Sequence, residues 1–141
     1  MLSVSANSNS ICSARFSRRA YDASNVRIGG DVSDGDFTVE VVRVTYPNGG
    51  QTLYSGDSVT ITWHTNTTAV DVASTKVIGR CNGDDSWVTL GKPRGNPEQF
   101  TLTIPDPGYS RDRCKVQIVL RDAAGASLGK DVSDQYFAVN R

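Results

Sequence analysis

Ser58-Val59-Thr60-Ile61-Thr62-Trp63-His64-Thr65 alternates without a break. Val59, Ile61 and Trp63 take one parity; Thr60, Thr62 and His64 take the other. That is the period of a strand with one face in a core and one in water. Phe100-Thr101-Leu102-Thr103-Ile104 repeats the pattern and stops at Pro105-Asp106-Pro107-Gly108, a strong turn signal. Lys115–Leu120 and Tyr136–Val139 supply two more strands. Pro47-Asn48-Gly49-Gly50, Ser55-Gly56-Asp57 and Asn82-Gly83-Asp84-Asp85 mark turns between them. No stretch shows a helical stripe. About seven short strands in roughly one hundred residues predict an all-β, Ig-like antiparallel sandwich.

The chain has 141 residues, room for one domain of common size. Lys plus Arg and Asp plus Glu stand at 15 each, so overall charge gives no pull toward nucleic acid or an anionic membrane. Within residues 1–30, Arg15, Arg18, Arg19 and Arg27 face only Asp22, a local surplus of +3. No apolar run reaches the roughly 20 residues of a spanning helix. The Ser/Asn-rich start lacks the basic and apolar regions of a signal peptide, so residues 1–11 are expected to form a flexible leader. An export signal, if there is one, is expected outside this chain.

An internal repeat organises the rest. Ile28-Gly29-Gly30-Asp31-Val32-Ser33-Asp34-Gly35-Asp36-Phe37-Thr38-Val39 matches Leu128-Gly129-Lys130-Asp131-Val132-Ser133-Asp134-Gln135-Tyr136-Phe137-Ala138-Val139 at an offset of 100 residues. Asp22-Ala23 and Asp122-Ala123 match at the same offset. One hundred residues is about the length of an Ig-like domain. The expected organisation is therefore a complete sandwich over 41–141, preceded over 12–40 by the closing hairpin of a truncated copy. Phe37, Val39 and Val41 share a parity that Val42, Val44 and Tyr46 reverse, which sets the boundary near 41–42. No Gly, Pro or Ser linker intervenes there, so tandem copies are expected to form a stiff row.

Val44-Thr45-Tyr46-Pro47-Asn48-Gly49-Gly50-Gln51, followed by Gly56 and Ile61-Thr62-Trp63, resembles the "PNGGE … G … ITW" opening of Ig/fibronectin-III-like repeats. Such repeats belong to bacterial and archaeal surface and secreted proteins, and the Ser-Thr-rich GPI-anchored wall proteins of fungi are similar. Arg80–Trp87 resembles the family's "S-x-D-G-G-x-T-W" hairpin, and Asp131–Val139 its "D-x-SD-xx-F-x-I" last strand. The sequence departs from that pattern at Cys81 and Asp84. The resemblance implies an extracellular or cell-surface setting, a prokaryotic source, and a structural rather than catalytic role.

His64 is the only histidine, and alternation puts it on the solvent side of its strand. A Ser-His-Asp or Cys-His site would need it, yet no activated nucleophile stands near it in sequence. Cys12, Cys81 and Cys114 show no zinc spacing. Cys81 ends one strand and Cys114 begins another that would run antiparallel beside it in an Ig-like topology. The two are expected to form a disulfide with Cys12 free, the alternative being two reduced buried thiols. Asp31, Asp34 and Asp36, with Asp131 and Asp134 one repeat later, are candidate calcium ligands at the joins. Asx-type turns are the competing role for them. No other cofactor is expected. Trp63 has core parity, whereas Trp87, Tyr54 and Tyr109 are candidate carbohydrate-contacting residues. Asn66-Thr67-Thr68 is a glycosylation sequon, relevant only in a eukaryotic source.

Three non-catalytic roles follow. The first is a stalk, spacer or adhesion module whose partners are neighbouring repeats. The second is a carbohydrate-binding module attached to a secreted hydrolase, with polysaccharide as partner. The third is a filament subunit that self-associates by donating residues 12–40 as a hairpin.

Overall fold

The computed structural model describes residues 2–6, 11–32, 37–66, 68, 70–82 and 86–141, with backbone alone for 2–6, 11–16 and 37–40. Every regular element among them is a strand. Two compact units divide the chain, residues 1–40 and 41–141.

The first unit is a four-stranded sheet. Strand β2 (Ile11–Tyr21) is its centre, with β1 (Leu2–Ala6) antiparallel along one edge. β3 (Arg27–Val32) and β4 (Phe37–Glu40) pair with successive halves of β2 along the other edge. The expected leader thus needs correction: Leu2–Ala6 is a strand in register with Cys12–Phe16. Leu2, Val4 and Ala6 alternate with Ser3 and Ser5, a period-two signal that the Ser/Asn-rich composition hid. The strands expected over 12–40 are β2 paired with β3 and β4, and β1 adds a further strand on the other side of β2.

The second unit is an Ig/fibronectin-III-like sandwich. β5 (Val42–Tyr46), β7 (Ser58–Thr65) and β10 (Gln99–Thr103) form one sheet in the order β10-β7-β5. Facing it are β6 (Thr52–Tyr54), β13 (Phe137–Asn140), β11 (Arg111–Arg121), β8 (Ser74–Cys81) and β9 (Val88–Gly91), hydrogen-bonded in that order. β12 (Ser127–Val132) continues the line of β13 along the second half of β11. The nine segments reduce to the expected seven strands because the first and last are each interrupted once. Val42, Val44, Ile61 and Trp63 meet Val77, Val116, Ile118, Leu120, Phe137 and Val139 between the sheets. Trp63 is only 3% exposed.

The 100-residue repeat extends to individual hydrogen bonds. Ser17, Arg18, Arg19, Ala20 and Tyr21 pair with Val32, Asp31, Gly30, Gly29 and Arg27. Gln117, Ile118, Val119, Leu120 and Arg121 pair with Val132, Asp131, Lys130, Gly129 and Ser127, with the same irregularity before the last pair. Both turns are closed alike: the Asp22 carboxylate accepts the Ser24 and Val26 N–H groups, and the Asp122 carboxylate those of Ala124 and Ala126. Asn25 (φ 63°) and Gly125 (φ 83°) occupy the same left-handed position, which Asn and Gly tolerate best. The copies differ in what lies over them. A Cβ on Gly129 would come within 2.9 Å of a Val41 methyl, whereas one on Gly29 would meet nothing within 4 Å.

Candidate functional site

Three features of the sandwich carry chemistry: the seam between its first and last strands, the disulfide, and a group of aromatic rings paired with cations.

The seam is built by the aspartates. Asp131 turns its carboxylate toward the opposite sheet and accepts the Val44 N–H at 2.7 Å. The Asn48 side-chain amide donates to the Asp134 carboxylate at 2.8 Å, and the Asp134 N–H returns a bond to Asn48 Oδ1 at 2.7 Å. Arg43 lies 3.9 Å from the same Asp134 carboxylate. Backbone bonds continue the seam from Gly50 N–H to Tyr136 C=O, from Ala138 N–H to Gln51 C=O, and from Ser55 N–H to Asn140 C=O. β6 then runs parallel to β13, with Thr52, Leu53 and Tyr54 beside Ala138, Val139 and Asn140. Two of the five candidate calcium ligands are therefore engaged in joining strands. Asp31 is exposed and accepts the Val32 N–H; Asp34 and Asp36 lie outside the described residues. Among the described residues no three His, Cys, Asp or Glu side chains gather as a metal-binding group.

Burial raises the Asp131 carboxyl above its ordinary value of 3.8, against the lowering effect of the Val44 and Val132 N–H groups. A raised carboxyl pKa means that the folded state favours the protonated form. The contribution is fully present below pH 3.8 and is lost as pH rises through the folded pKa. Asp131→Asn keeps an oxygen for Val44 and removes the charge. Its melting temperature relative to wild type should climb as pH rises above 3.8 and through the raised folded pKa. A difference that stays flat with pH would contradict this.

Cys81 and Cys114 are directly opposed on β8 and β11 and form a disulfide, with a sequence separation of 33. Cys114 is fully buried and Cys81 half-buried. The side chain of Cys12 is outside the described residues. A largely apolar cavity of about 430 Å³ lies between the sheets beside this bond, lined in part by Leu53, Ile61, Leu90, Leu102 and Phe137.

The three candidate sugar-contacting aromatics occupy separate elements. Tyr54 is exposed on edge strand β6. Trp87 is half-buried before β9, with the Arg80 guanidinium 4.7 Å from its ring centre. Tyr109 is exposed before β11, with Arg111 at 4.5 Å. A fourth ring belongs with them and was absorbed into a strand by the sequence reading: Tyr136, with Arg113 at 5.0 Å and Lys115 at 4.8 Å. A hydrogen bond from Arg113, followed by its charge, lowers the Tyr136 hydroxyl below the usual phenol value. The pairing of Tyr136 with Arg113 and Lys115 leaves no local sequence pattern, because the partners come from segments distant in sequence. His64 is exposed on β7, 3.7 Å from Glu98.

No protein-family model matches the chain, and no curated protein matches it. Among solved structures, the fibronectin(III)-like modules of CbhA from Clostridium thermocellum are similar to it. That match has 15% identity and a TM-score of 0.48, and covers 72% of this chain and 100% of that one.

Proposed function

We propose that this chain is a non-catalytic, extracellular spacer module of a repeat-containing surface or secreted protein, built to transmit tension between neighbouring repeats. The observation that carries the reading is the parallel seam. Its side-chain bonds join residues 86 or 87 apart, so the segment from Val44 to Ser55 travels beside Asp131–Asn140 in the same direction. Tension applied near Val41 and at Arg141 pulls the two segments past each other. The hydrogen bonds are then loaded together, in shear, instead of one after another. Strand repetition at a fixed 100-residue offset supports the same reading, and the disulfide fits an oxidising, extracellular compartment.

Single-molecule pulling tests it directly. Handles at Val41 and Arg141 load the seam in shear. Handles at Asp57 and Arg141 lie at the same end of the parallel pair and unzip it bond by bond. The first geometry is expected to unfold at clearly higher force, and Asn48→Ala should narrow the gap. Equal forces in the two geometries would remove the basis for a tension-bearing role.

A further inference from the structure

The outer face of the larger sheet is a second candidate site, independent of the seam. Core residues Cys114, Val116, Ile118 and Leu120 alternate with side chains that point away from the core. Lys115 is opposite Arg80, and Val119 is opposite both Lys76 and Lys130. Arg113 and Arg121 share their parity. Lys76, Arg80, Arg113, Lys115, Arg121 and Lys130, from three adjacent strands, thus share the outward parity of one sheet face. Of the described carboxylates on these strands, Asp131 reaches inward to Val44, and Asp112 is exposed at the irregularity between Arg111 and Cys114, at one end of the array.

The array is held in place. Ile78 and Val119 are 7% and 8% exposed yet stand outside the core cluster. The aliphatic stems of Lys76, Arg80 and Lys130 are the neighbours placed to cover them. Lys115 Nζ donates to the carbonyls of Ser133 and Asp134 at 2.7 and 2.9 Å, and Arg121 to that of Gly125 at 2.6 Å. Neutral carbonyls orient these cations without cancelling their charge. The protein's overall charge is zero, so attraction for a polyanion has to come from a local array such as this one.

We propose that this face binds an anionic polysaccharide through its carboxylate or sulfate groups. Strand spacing of about 4.8 Å, with outward side chains about 6.8 Å apart along each strand, gives a two-dimensional grid of cations. An extended polymer carrying regular charges can lie along such a grid. The rings beside it are each paired with a cation, Trp87 with Arg80 and Tyr136 with Arg113 and Lys115. Recognition here runs through charge, not through bare rings of the kind that stack nucleobases or neutral sugars. A sheet face also lacks the helix or ribbon that enters a duplex groove.

Affinity electrophoresis of the full chain at low ionic strength, with dextran sulfate, polygalacturonate, neutral dextran and duplex DNA as probes, tests the proposal. Retardation by dextran sulfate, by polygalacturonate or by both supports it and identifies the anion. Binding should fade as salt is raised to about 1 M, where screening is nearly complete. Lys76→Gln with Lys130→Gln should weaken binding about tenfold, and Arg113→Gln should weaken it independently. Arg43→Gln, on the opposite sheet, should leave it unchanged. The idea is overturned by no binding to either acidic glycan, equal retardation by neutral dextran, tighter binding to DNA, or folded cation variants that bind like wild type.

Discussion

Trp63→Ala is expected to remove about 3–5 kcal/mol of stability from the sandwich, a large part of what a domain of this size possesses. The indole is 3% exposed, lies opposite Val44 and belongs to the core cluster of the sandwich. Its N–H donates to the Asn96 side chain at 2.8 Å. Alanine therefore opens a cavity and also leaves the amide oxygen of Asn96 without that donor. Trp63→Phe separates the two losses, because it retains most of the packing and forfeits only the bond. It should cost distinctly less. Urea unfolding followed by far-ultraviolet circular dichroism reads both. A loss below about 1 kcal/mol for the alanine variant would mean that the ring is not a core residue.

Breaking the Cys81–Cys114 bond should cost about 3–4 kcal/mol, because the link restricts a loop of 33 residues in the unfolded chain. For a domain of this size that corresponds to a fall of roughly 15–25 °C in melting temperature. The Cys81→Ala/Cys114→Ala variant and chemical reduction should agree. Denaturation with an alkylating agent but no reductant should modify one thiol, Cys12; three modified thiols would show the bond absent. In a pulling experiment the oxidised bond hides the chain between the two cysteines. Reduction should lengthen the unfolded trace by roughly 110 Å.

The sequence made the central strands legible where one face meets a core and the other meets water. β7 is the clearest case: its period-two pattern correctly separates buried Ile61 and Trp63 from exposed His64. β8 was legible only by its end at Cys81, and its alternation is missing for a physical reason. Val77 and Ile78 are adjacent and both buried, one between the sheets and the other under cation stems on the outer face. Alternation disappears when both faces are covered. The pairing of Cys81 with Cys114 was readable from strand ends once an Ig-like topology was assumed. The roles of Asp131 and Asp134 were not, since their partners Val44 and Asn48 lie 87 and 86 residues away. A local reading offers metal ligands or turns, and long-range strand joining leaves no mark in a short window.

The shared register of β2–β3 and β11–β12 poses a problem of discrimination during synthesis and refolding. Two strands that can pair with the same hairpin partner in the same alignment are rivals, and tandem repeats are prone to misassemble by such exchanges. Here the rivals are unequal. β11 places Ile118 at a fully buried position, where β2 would bring Arg18. An arginine forced into that site would lose its hydration and gain no opposing charge among the surrounding core side chains, a penalty of several kcal/mol. A single substitution between the copies thus rejects the wrong strand while leaving the hairpin geometry common to both.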